Sequence, residues 1–85
     1  MTTQIIKRDT DVGTVLTVAA QKPAGELLPA FLSLNRLILK HQLNTQVIVS
    51  TKLSVGVWYE TIETSIPDPD RELAIDLYMW EQEFK

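Results

Sequence analysis

The chain contains no cysteine, a single histidine, three glycines and four prolines among its 85 residues. Without cysteine there is no disulfide, thiolate zinc site, iron–sulfur cluster or cysteine nucleophile, so packing alone must hold the fold together. With His41 as the sole histidine, no Ser-His-Asp arrangement has a base to spare, and a histidine-rich metal site within one copy is impossible. A helix C-cap is the simpler role for that residue. Gly13, Gly25 and Gly56 stand alone, which excludes a P-loop and a dinucleotide fingerprint. Asp68, Asp70 and Glu72 have the spacing that opens an EF-hand loop, but Leu73 stands where glycine is needed and Met79 where a bidentate glutamate is needed. Long apolar runs are missing too. No stretch approaches the ~20 residues of a membrane span, and the start MTTQIIKRDTD is no signal peptide. The chain therefore reads as cytoplasmic, with no membrane partner.

What is present is ordinary globular composition, 45% hydrophobic and 22% charged, enough for one domain over residues 1–85. A core this small gains from sharing apolar surface with a second copy. The net charge of −3 is unevenly spread. Residues 1–43 carry five bases against three acids, and residues 44–85 carry three bases against eight acids, all of the latter at or after Glu60. The acidic segment repels phosphate, and the bases of the first half are scattered, so nucleic-acid binding is not expected.

No internal repeat is visible. Gln4–Arg8 reads as a short strand, with the Asp9–Gly13 segment as a turn. Thr14–Ala20 reads as a strand with both faces largely apolar, hence central in a sheet. After the breaker cluster Gln21–Gly25, Leu27, Phe31, Leu34 and Ile38 recur at helical spacing, with Leu28, Leu32 and Leu39 on the adjoining arc. This predicts an amphipathic helix over about 27–42, starting between Gly25 and Pro29 and ending near His41–Asn44. From Thr45 to Thr64 the period becomes two. The segment is too long for one ordinary strand, so a hairpin with a three-residue loop at Thr51–Leu53 is expected, placing Val49 opposite Val55 and Val47 opposite Val57. The alternative is one long bent strand. In 69–84, Leu73, Leu77, Trp80 and Phe84 form a helix stripe that Asp68 and Pro69 would start, whereas Leu73, Ile75, Leu77 and Met79 alternate as a strand. The helix pattern is preferred.

These elements predict an α+β fold: a mainly antiparallel sheet of three to five strands, one long amphipathic helix packed on one face, and a second, C-terminal helix. The order strand–helix–strand–strand–helix is ferredoxin-like but incomplete, lacking a last strand that the N-terminal segment or a second copy would supply.

The chemistry that remains is a contact surface. Five of the six aromatic residues fall in the last third, interleaved with acids. Trp58, Tyr59, Glu60, Glu63, Tyr78, Trp80, Glu81 and Glu83 form the candidate partner-binding set, since aromatic anchors within an acidic rim suit a partner with a basic surface. Glu60 and Glu63 would point to opposite faces of a strand and so cannot share acid and base roles. Catalytic, cofactor and metal residues are not predicted. The expected function is a non-catalytic protein–protein interaction or regulatory module, homodimeric, including an inhibitory or DNA-mimicking role. The alternative is a regulatory domain binding a small molecule at a dimer seam.

Overall fold

In a computed structural model, described over residues 2–85, the element order is ββαββα. Strand β1 (Thr2–Thr10) turns through Asp11–Val12 into β2 (Gly13–Pro23); helix α1 (Leu28–Lys40) follows, then β3 (Ile48–Ser54), β4 (Val57–Pro67) and helix α2 (Arg71–Phe84). The four strands make one sheet in the order β1-β2-β4-β3, with every neighbouring pair antiparallel. The class is α+β, as the patterns required. Two strands precede the first helix, in place of the strand–helix–strand–strand–helix order expected, and the N-terminal segment contributes a full edge strand. The second, C-terminal helix is present, and it is of similar length to the first, 14 residues against 13.

Burial follows the two-residue period. In β2, Leu16, Val18 and Ala20 are buried, and in β4 Ile62, Thr64 and Ile66 are buried, while the residues between them stay partly or fully in solvent. One face of the sheet is therefore covered and the other open. The covered face shares a single cluster with Ala30, Leu34 and Ile38 of α1 and Leu73, Leu77 and Trp80 of α2.

Helix α1 lacks a side-chain N-cap, since Leu27 precedes its first residue, but Pro29 in the first turn has no amide proton to leave unpaired. At its other end Leu43 donates its backbone N–H to Ile38 O and Gln42 donates to Leu39 O, with Gln42 at φ 52. This is a Schellman motif, and Leu43 joins the core edge as such motifs require.

Two local expectations fail. Asp70, not Asp68, caps α2: its side chain accepts a hydrogen bond from Leu73 N at 2.8 Å. Asp68 is drawn away to β2, where its carboxylate accepts from Thr14 N at 3.0 Å and its own N–H donates to Thr14 O at 2.6 Å. Gly13 faces that carboxylate at φ +132, and any side chain there would collide with it. The second failure is the β3–β4 turn, which lies at Val55–Gly56, so that Ser54 pairs with Val57 and Val49 with Ile62. Both turn residues have positive φ, 50 for Val55 and 75 for Gly56, as in a type I′ turn. Its twist matches that of the flanking strands, and glycine at the second position permits it. The three-residue loop over Thr51–Leu53 and the single long strand are both excluded.

Candidate functional site

Both edges of the sheet begin as rows of unpaired backbone groups, and the chain treats them differently. Along β1, α2 lies close: Ile5 N donates to Glu81 Oε2 at 3.1 Å, and the Thr3 hydroxyl donates to Phe84 O at 2.6 Å, capping a helix carbonyl. Further along, Lys7, Arg8 and Asp9 place charge on the same strand. The other edge, β3, has six of its seven residues exposed and one charge, Lys52.

Beside β3 the covered face of the sheet is incompletely covered. Gly25, Leu27, Leu28 and Phe31 from the start of α1 and Val49, Glu60 and Ile62 from the hairpin enclose an open trough of about 310 Å³. By strand parity Leu53 and Trp58, paired across β3 and β4, continue the same side of the hairpin beyond it. Leu28 is 59% exposed, Val49 50%, Leu53 54% and Trp58 56%. Large apolar side chains standing together in water mark a contact surface. The one carboxylate in the trough is engaged, since Glu60 Oε1 accepts from Gly25 N at 2.8 Å.

The candidate contact residues do not form one patch. Trp80 is a correction: it is 2% exposed, its ring packs in the core at 6.1 Å from Phe84, and its Nε1 donates to Ala30 O at 3.0 Å. Its place in the helix stripe puts it inside. Glu81 faces β1 and is partly buried against it. Tyr59 and Glu63 lie on the open face and Glu60 on the trough side, so the two glutamates diverge as their spacing requires. Tyr78 is exposed on α2 beside Ile75 and Met79, and Glu83 borders a second open groove, of about 410 Å³, with Leu28, Leu32, Arg36 and Phe84. Trp58 and Glu60 are the members that reach the trough side. Leu28, Phe31, Val49 and Leu53 were not singled out from the sequence. For Leu28 and Phe31 the signal was the width of α1's apolar face, an excess that a single helix stripe does not need; for Val49 and Leu53 it was the period-two alternation of the hairpin segment.

His41 does cap α1, but its ring also reaches α2, where Nε2 lies 2.7 Å from Asp76 Oδ2. Lys40 Nζ meets the same oxygen at 2.9 Å. The hydrogen bond from Lys40, then that from His41, holds the Asp76 carboxyl below the usual carboxylate range, and Asp76 in turn raises Lys40. The cluster ties one helix to the other.

Among the described residues no three acids, histidines or cysteines converge as for a metal ion, and no helix is long and apolar enough to cross a membrane. Comparison with protein-family models, curated proteins and solved structures finds no match to this chain.

Proposed function

We propose that this protein is a non-catalytic protein–protein interaction module whose contact surface is the apolar trough between α1 and the β3–β4 hairpin. The observation that carries this reading is the exposure of Leu28, Val49, Leu53 and Trp58 on one side of the molecule. Burying the roughly half of each of these four side chains that remains exposed releases about 1 kcal/mol each, before the costs of association. We further read β2, α1, β3, β4 and α2 as a ferredoxin-like unit, with β1 standing where a strand after the last helix would stand. Trp58 is the aromatic anchor of the contact, and Glu60 is the one acid of the second half that lines the trough. A small-molecule role is less well supported. At about 310 Å³ the trough is at the small end for such a site, it is open, and its carboxylate already has a partner.

The test compares the wild-type chain with Leu28→Lys and Trp58→Lys, neither of which alters β3. Association of the immobilised chain with proteins of its source extract, or with itself, is lost in both variants and kept in Tyr78→Ala and Glu83→Lys. Equal binding by all four variants refutes the trough as the contact surface.

A further inference from the structure

We infer that the partner at this surface is a second copy of the chain, joined edge to edge through β3 in an antiparallel register centred on Thr51. This rests on the trough being a contact surface and adds what fills it. The contrast between edges comes first. β1 is covered by α2 through Ile5–Glu81 and Thr3–Phe84 and carries three consecutive charged residues, whereas β3 presents IVSTKLS with one lysine and no proline. Edges that must not pair are blunted, and this one carries only a single lysine, Lys52, against three consecutive charges and a helix on β1.

The register follows from parity and chemistry. For two apolar troughs to face one another across the seam, both must lie on the same side of the combined sheet. A two-fold axis must then set one residue of β3 against its own copy. Centring on Lys52 brings two lysines face to face, and centring on Ser50 sets Ile48 against Lys52. Thr51 is the midpoint of Ile48–Ser54, so centring there pairs all seven residues. Val49 then lies opposite Leu53 of the second copy, twice, on the trough side. Lys52 lies opposite Ser50, and Ile48 opposite Ser54, on the open side. Apolar meets apolar, and the two lysines are displaced by two residues, about 7 Å along the strand. Glu60 neighbours Thr51 on β4, so the two copies of Glu60 stand three strand spacings apart, roughly 14 Å, beyond the Debye length at physiological salt. The product is a continuous eight-stranded sheet in which the exposed sides of Leu28, Val49, Leu53 and Trp58 from both copies line one shared apolar channel.

The absence of native cysteine makes this register readable by disulfide trapping. Residues directly opposite in an antiparallel pair have Cα atoms about 4.5–5.5 Å apart, within disulfide reach. Under mild oxidation Thr51→Cys cross-links to a dimer about tenfold faster than Lys7→Cys on β1, because only the former is held opposite its copy. Ser50→Cys alone, offset by two residues at about 8 Å, does not cross-link, whereas an equimolar mixture of Ser50→Cys and Lys52→Cys does. Light scattering of the wild-type chain at micromolar concentration gives twice the 9.6 kDa chain mass. A monomeric mass throughout that range, or cross-linking of Thr51→Cys no faster than Lys7→Cys, overturns the seam. If Thr51→Cys misfolds, the wild-type mass and the mixed pair still decide. A monomer that loses a different protein partner on Leu28→Lys overturns the seam and leaves the interaction module standing. A β3-trapped dimer whose Leu28→Lys and Trp58→Lys variants keep every association overturns the module and leaves the seam.

Discussion

Replacing Val55 by asparagine should stabilise the protein, although it deletes a hydrophobic residue. Val55 sits at φ 50, in the left-handed region that a β-branched side chain occupies only under strain, and it is 99% exposed. The left-handed conformation costs an ordinary residue roughly 1–2 kcal/mol, and asparagine tolerates it through local hydrogen bonding. With almost no surface buried, Val55 has no transfer energy to lose. Asn-Gly is moreover the preferred pair for the type I′ turn that Val55 and Gly56 form. The net gain is about 1 kcal/mol. For a domain of this size that raises Tm by about 4–8 °C, or moves a urea midpoint up by about 0.5–1 M with unchanged slope. Val55→Gly relieves the same strain but adds freedom to the unfolded chain, so its gain is smaller. Urea unfolding followed by circular dichroism at two protein concentrations separates this effect from assembly. A Val55→Asn variant no more stable than wild type, or less stable than Val55→Gly, would refute the reasoning about the turn.

The two tryptophans should behave as opposites. Trp80→Ala removes a buried ring and the donor to Ala30 O, costing ~3–5 kcal/mol, while the exposed Trp58→Ala costs under ~1 kcal/mol at concentrations where the chain is monomeric. Equal losses in denaturant titrations would contradict the burial assignment. Asp76 should confer an acid sensitivity of known sign. Its carboxyl is held below the usual range by Lys40 and then His41, so its contribution is complete above that range and is lost as the pH falls through the lowered value. The stability difference between wild type and Asp76→Asn is therefore largest near neutral pH and vanishes in strong acid. A difference that stays constant across that range would exclude the mechanism.

Periodicity is a local property, and what depended on it was legible. The stripe Leu27–Phe31–Leu34–Ile38 is a helix with Leu27 as its buried N-cap, and the stripe Leu73–Leu77–Trp80–Phe84 prevailed over the competing strand alternation. That second outcome follows from where α2 lies: packed as a helix it buries Leu73, Leu77 and Trp80 together, whereas a strand would have split the four between two faces. Turn position was not read correctly, because period-two apolar alternation runs through Val55–Gly56 and the one mark of the reversal, Gly56, is paired with a β-branched residue that the left-handed region disfavours. The cap shifted from Asp68 to Asp70 because a long-range partner, Thr14, competes for the first carboxylate. Such a competitor, 54 residues away, leaves no trace in a local window.

The candidate surface divides in the same way. The sequence alone determined the α+β class, the helix faces, and an apolar excess larger than one small core uses. Which residues carry that excess was decided only when the strands took their order. Placing β1 beside β2 put one edge under α2, and placing β3 outermost left the other bare. Trp80 was thereby drawn into the core and Trp58 left in solvent, because a side chain's burial depends on what packs against it and not on its own hydrophobicity.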